Sequence, residues 1–327
     1  MIEQFREAMM TVGIDCQDEI IPDGCLHRFR PNGSKNPDGW YCLHGDGIPA
    51  GSFGDWKAGE SFTWCQKKQS ELSPEEREDF LRRIEQQKQI REAEQARIHK
   101  EAAEKALRIW EAAAPATEDH PYLQKKQVKP YGLRIAKDGR LVIPARDASG
   151  TIRTLQFISG DGTKRFLPGG RKAGHFHEIQ GDGDTIYIGE GFATMATVHE
   201  ATGGHAVTSF DAGNLLPVAR TIRQKYPKVE IVICADDDRW TEGNPGVTKA
   251  KAAAKGIRAR VVVPKFKDVS SRPTDFNDLA ALEGEGIDAV KQQLQTSTGL
   301  IFVKRGDPES GTRKRIKISF RNSKNGN

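Results

Sequence analysis

Hydrophobic and polar positions change their rhythm several times along the chain, and each change marks an element. Residues 1–66 carry short alternating apolar runs such as Gly39-Trp40-Tyr41-Cys42-Leu43-His44. Turn signals separate them (Pro31-Asn32-Gly33, Pro37-Asp38-Gly39, Gly45-Asp46-Gly47), which predicts a small β-rich module. Residues 67–114 then switch to Glu, Lys, Arg, Gln and Ala with almost no Gly. Ser73-Pro74-Glu75-Glu76 supplies an N-cap, a first-turn proline and a capping box, and nothing breaks the helix before Pro115. Such a helix would be about 60 Å long. Its apolar residues gather at the ends (Phe80, Leu81, Ile84, then Leu107, Ile109, Trp110) without a heptad, so it reads as a solvated helical linker.

Residues 115–183 return to strands and Gly turns: Leu141-Val142-Ile143-Pro144, Ile152–Ile158 and Arg165-Phe166-Leu167. From 184 to 270 strand-like and helix-like runs alternate. Strands at 185–189, 205–209, 229–234 and 258–263 are separated by helices at 192–202, 214–226 and 246–255. That alternation predicts an α/β fold with a parallel, Rossmann-like sheet. Two short helices in 271–300 precede a tail, 301–327.

Composition narrows the class. No apolar run among the 327 residues approaches the roughly 18–20 needed to span a bilayer, so no membrane partner is expected. The charged start Met1-Ile2-Glu3-Gln4-Phe5-Arg6-Glu7 lacks an apolar signal-peptide core, and five cysteines make no disulfide scaffold, which together favour a cytoplasmic protein. The net charge of +5 is concentrated in the tail, which has eight basic residues against two acids. A basic tail on a near-neutral body fits either a sequence-independent hold on a phosphate backbone or a solubilising end.

Candidate chemistry lies where the strands end. Ile186-Tyr187-Ile188-Gly189 runs into Glu190-Gly191, and Ile231-Val232-Ile233-Cys234-Ala235 runs into Asp236-Asp237-Asp238. Pro273-Thr274-Asp275-Phe276-Asn277-Asp278 follows the last strand. Oxygen donors without a His/Cys set suit Mg²⁺ or Mn²⁺, ions that organise phosphates for in-line displacement.

A glutamate after one strand and Asp-x-Asp after a later one resemble the Toprim domain of primases, topoisomerases and certain nucleases. The resemblance covers about 184–263 and implies that Glu190, Asp236 and Asp238 are catalytic and metal-binding. It also likens Asp275 to a later metal-binding acid of primases. Thr194 stands where many primases have an acid, and Arg239–Gly246 is longer than the usual link; both are similar to plasmid- and phage-type variants.

The preceding segment selects among these enzymes. Gly139-Arg140-Leu141-Val142-Ile143-Pro144-Ala145-Arg146-Asp147, then Thr163-Lys164-Arg165-Phe166-Leu167 and Gly170-Arg171-Lys172, resembles the N-terminal subdomain of bacterial primase cores. His120-Pro121-Tyr122-Leu123 is similar to that family's entry segment. The resemblance implies that Arg146 and Lys164, with Arg165, Arg171 and Lys172, hold nucleotide or template phosphates. Arg suits bidentate phosphate contact and Lys a point charge.

Residues 1–66 occupy the place of a primase zinc domain. Cys25-Leu26-His27 and Cys42-Leu43-His44 put paired ligands on one strand face, but zinc usually prefers longer spacings. A zinc-free module is therefore the favoured reading, with a site on Cys25, His27, Cys42 and His44 as the alternative.

The expected architecture is a Toprim domain with a preceding mixed α+β primase subdomain, a long helical linker and a β-rich N-terminal module. The expected function is a DNA primase of mobile-element type: metal-dependent synthesis of short RNA primers on single-stranded DNA from ribonucleoside triphosphates. A replicative helicase or single-strand-binding protein is the expected partner, because these residues contain no nucleotide-binding P-loop. A Toprim nuclease using the same carboxylates, or a catalytically inactive replication-initiation module, stays open as an alternative.

Overall fold

Phe5 and Met9 stand four residues apart, a spacing that brings both to one face of a helix. Ile2–Thr11 is that helix, α1, so the first segment is not purely β. Its Phe5 and Met9 are buried against Tyr41, Leu43 and Phe53 of a four-stranded antiparallel sheet. The strands are β1 (His27–Phe29), β2 (Gly39–His44), β3 (Ala50–Asp55) and β4 (Glu60–Cys65), paired in chain order.

The computed structural model describes residues 1–67, 69–282, 284–296 and 300–301, so the tail's charge pattern lies outside the described residues. The chain divides into two compact units, Met1–Ile98 and His99–Asn327. The long helix α2, Pro74–Ala112, contributes to both and is less solvated than its composition predicts. In the first unit Ser52 donates to Gln87 at 2.6 Å and the Arg91 guanidinium lies 4.5 Å from the Trp40 ring centre. In the second unit Ala106 and Ala113, with Ile109 and Trp110, pack against Val142, Leu155 and Leu167. Small alanines allow this close approach, which is why the apolar count along the helix understates its burial.

The second unit opens with a five-stranded antiparallel sheet in chain order: β5 (Ala114–Pro115), β6 (Arg134–Ile135), β7 (Leu141–Arg146), β8 (Ile152–Ile158) and β9 (Lys164–Phe166). Helix α3 (Pro121–Lys126) is inserted after β5. A six-stranded sheet follows, ordered β10-β12-β11-β13-β14-β15. Its strands are β10 (His177–Ile179), β11 (Thr185–Gly189), β12 (His205–Thr208), β13 (Glu230–Cys234), β14 (Arg260–Val262) and β15 (Leu300–Ile301). The four central strands are parallel and the two edges antiparallel.

Helices cover both faces. Tyr187, Val232, Cys234 and Val262 point to α4 (Phe192–Thr202), α7 (Phe276–Ala281) and α8 (Gly286–Thr296). Ile186, Ile188, Ile231 and Ile233 point to α5 (Leu215–Lys225) and α6 (Pro245–Ile257). Continuous apolar runs such as Ile231-Val232-Ile233-Cys234 reflect this two-sided burial.

The two sheets of this unit share a core. Leu141, Ile143 and Ile158 belong to the same buried cluster as Tyr187, Val232 and Phe276. β10, which falls before the expected division at 183/184, pairs with β12 of the later sheet.

Candidate active site

β11 lies between β12 and β13, so the chain leaves it to one side and later returns on the other. At such a switch point the connections diverge and leave a crevice beyond the carboxyl ends of the strands. Glu190 follows β11, while Asp236 and Asp238 follow β13. Asp211 follows β12, and Asp275 caps α7 by accepting the Asp278 amide at 2.8 Å. Lys126, Lys164, Glu190, Asp211, Asp236 and Asp275 line one cleft of about 180 Å³, walled by Tyr122, Thr194 and Phe210.

Two glycines make this geometry possible through close approach. A Cβ on Gly189 would lie 2.5 Å from the Met195 sulfur and 3.2 Å from the Cys234 carbonyl oxygen, so a side chain there would displace Met195. A Cβ on Gly246 would lie 2.3 Å from the Asp236 carbonyl oxygen. Without it, the Gly246 amide donates to Asp238 Oδ2 at 2.9 Å and fixes that carboxylate at the start of α6.

Burial and crowding leave the acids under-neutralised. Glu190 Oε1 and Asp236 Oδ1 are buried without a hydrogen-bond partner. Burial, then Asp238 and Asp211, push the Glu190 carboxyl up to about 7, against the Ala212 amide and Lys164. Burial, with Asp275, Glu190 and Asp238, raises Asp236 well above its ordinary value, against Lys164. Asp275 is raised by burial and by Asp278, although it also accepts from Thr194 Oγ1 at 2.9 Å. Lys164 is exposed along much of its side chain, yet burial of its ammonium lowers its pKa, opposed by Asp275, Asp236 and Glu190.

Such an arrangement fits a cation. Hard carboxylate oxygens without hydrogen-bond donors are the set a divalent ion of the Mg²⁺ type would satisfy. Among the described residues no three His, Cys, Asp or Glu side chains already stand close enough to hold a metal ion. Glu190, Asp211, Asp236 and Asp275 line the cleft, whereas Asp238, held by the Gly246 amide, is not part of its lining.

Asp237 faces elsewhere. Its carboxylate accepts from Arg239 and from Asn244 Nδ2, the latter at 2.8 Å, and its amide donates to the Thr274 carbonyl at 2.7 Å. It ties the loops that carry Asp236 and Asp275.

The basic residues separate into groups. Lys164 faces the acids, and Lys172 pairs with Asp211 at the cleft wall. Arg146 is not in the cleft lining: it donates to the Gly150 carbonyl at 2.8 Å and lies 5.5 Å from the Trp110 ring centre. Arg165 and Arg171 are exposed. In the first unit, Cys42 is buried with its thiol on the Gly24 carbonyl, Cys25 is exposed, and His27 contacts Asp23 at 2.9 Å. His44 lies 3.7 Å from Asp46.

Sequence reasoning missed Lys126 and Asp211. Lys126 reaches the cleft because His120 caps α3, accepting from the Tyr122 amide at 3.2 Å, and places Tyr122 and Lys126 one turn apart. Lys126 also pairs with Asp278 at 3.3 Å. Asp211 was findable as one more acid just beyond a parallel strand.

Residues 185–286 match the Toprim domain family. Two curated proteins, both DNA primase TraC from Escherichia coli, are 37% and 36% identical over 280 and 282 residues, in each case 81% of this chain. The chain spans only 26% and 19% of the length of those relatives. Among solved structures, the primase fragment of the bacteriophage T7 primase-helicase protein matches at 18% identity and a TM-score of 0.41, over 54% of this chain and 74% of that one. Residues 185–286 are a Toprim domain, in a chain that resembles DNA primases over 81% of its length.

Proposed function

We propose that the chain synthesises short RNA primers on single-stranded DNA from ribonucleoside triphosphates, as a primase of mobile-element type working in the cytoplasm. The observation that carries this reading is the set of buried, under-neutralised carboxylates facing Lys164 at the switch point. Glu190, Asp236, Asp238 and Asp275 would hold Mg²⁺ or Mn²⁺. Bound there, a divalent ion would neutralise phosphate charge and acidify the attacking 3′-hydroxyl.

The chain's own groups have distinct tasks. Lys164 presents a point charge to the incoming phosphates, and Lys172 does so once released from Asp211. Glu190 either ligates the ion with the other carboxylates or accepts the proton of the 3′-hydroxyl. Arg146, Arg165 and Arg171, outside the cleft lining, hold template phosphates farther out. A helicase or a single-strand-binding protein would deliver the template. Rate enhancement would come mainly from positioning and charge neutralisation.

Incorporation of labelled ribonucleotides on single-stranded DNA without a primer tests the proposal. Asp236→Ala and Asp238→Ala should each lower synthesis by about a hundredfold or more while strand binding persists. Near wild-type synthesis by the double variant would overturn the site. Loss of the DNA substrate in place of new RNA would favour a nuclease.

A further inference from the structure

The loop between β13 and α6 holds a large aromatic side chain where folding gains little from it. Trp240 keeps 47% of its surface exposed, two residues beyond Asp238. The loop around it is tied down: the Thr241 amide donates to the Asp238 carbonyl at 2.8 Å and the Asn244 amide to the Thr241 carbonyl at 3.0 Å. The backbone that carries the ring is therefore held while the ring itself stays half exposed.

A second loop meets it. Arg272, at a left-handed φ of 56° that L-residues seldom adopt, places its guanidinium 5.7 Å from the Trp240 ring centre. Arg239 lies 5.8 Å from the Phe266 ring centre. These two cation–π contacts run in opposite directions between the same loops, beside the Asp237–Thr274 backbone bond. One loop leads out of Asp238 and the other into Asp275.

We infer that Trp240, backed by Arg272, is a stacking platform for a base of the single-stranded template at the mouth of the acidic cleft. An exposed, rigid indole with a cation against it offers a π-face to any base and a charge to the adjoining phosphate. Neither residue lines the cleft itself, so the stacked base belongs to a strand passing the mouth and not to a nucleotide whose phosphates fill the interior. Trp240 is then a positioning residue: it fixes which template base stands opposite the acids. The inference rests on the primase reading above.

Equilibrium binding of a labelled oligothymidylate to the full chain, without nucleotides, provides the test. Trp240→Ala should weaken binding about tenfold, and Trp240→Phe should restore most of it. Arg272→Ala should reduce the slope of log affinity against log salt by about one. Oligothymidylate should quench tryptophan fluorescence in the wild type and much less in Trp240→Phe. Unchanged binding by Trp240→Ala, or equal weakening in the Ala and Phe variants, overturns the platform. A ribonucleoside triphosphate alone forms the second arm, and an effect of Trp240→Ala confined to it would overturn the assignment to the template. Failure of the wild-type chain to bind any single strand would bring down the primase reading, and the platform with it.

Discussion

The hairpin joining β7 to β8 and the mouth of the cleft each place a partly buried carboxylate just past a strand, and they treat it in opposite ways. Asp147, in the hairpin, accepts from the Ser149 amide at 2.9 Å, the Ser149 hydroxyl at 2.6 Å, the Thr151 amide at 3.0 Å and Arg153 Nε at 2.8 Å. Burial pushes its pKa up, but these donors together bring it down to about 2. Glu190 and Asp236 are more deeply buried, with almost no donors and with other carboxylates as neighbours. An acid at a strand end is therefore not diagnostic by itself. The diagnostic property is a buried oxygen that the fold leaves without a partner.

Exchanging charge for amide at the two places should break the contrast most sharply. Asp236→Asn removes a buried charge that the metal-free fold tolerates poorly, so it should raise the metal-free melting temperature by a few degrees. Asp147→Asn keeps the Oδ1 that accepts from Ser149 and Thr151 but replaces the Oδ2 that accepts from Arg153 with an amide donor and removes the charge, and should destabilise by about 1–3 kcal/mol. Thermal melts in a chelator check both, and shifts of the same sign would dissolve the distinction.

Lys164→Ala tests one of the two ammonium groups in the cleft lining. It should lower synthesis roughly tenfold to a hundredfold, mainly through a higher KM for nucleotide, while titration with Mn²⁺ shows cation binding retained. An unchanged KM would place the ammonium outside the phosphate path.

The pH dependence is smaller but carries a sign. Glu190 titrates near 7 in the fold against an ordinary 4.5, so its stabilising contribution is full below 4.5 and is lost as pH rises through about 7. Asp147 runs the other way: its contribution is present above 3.8 and is lost as pH falls towards about 2. Between about pH 5 and pH 8 the metal-free melting temperature should fall, and Mg²⁺ should restore it at the upper end by binding the folded site. Glu190→Gln should flatten the fall. A wild-type curve already flat would show that Glu190 is not strained as described.

The parallel sheet and the acids at its strand ends were legible because hydrophobic runs and the residues that follow them are local features of the chain. Alternation from 184 onward was enough to predict the parallel core, and Glu190, Asp236 and Asp238 were visible in it. Three kinds of information were not local. β10 is only three residues with His and Glu in it, and pairing with β12 makes it a strand. The burial of α2 rests on alanines, whose value depends on what lies opposite. The different fates of Asp236 and Asp237, adjacent and identical in type, depend on Arg239, Asn244 and Thr274.

Asp237 also has an architectural consequence. By bonding to Arg239 at one end and Asn244 at the other, it closes a ring at the base of the loop that bears Trp240. Below that ring, the Gly246 amide holds Asp238 independently. The residues above it can be lengthened, shortened or replaced at little entropic cost without shifting the carboxylates. Chemistry and substrate recognition are thereby placed on separately variable parts of one connection, so a lineage can retune what approaches the cleft while the reaction inside it stays constant.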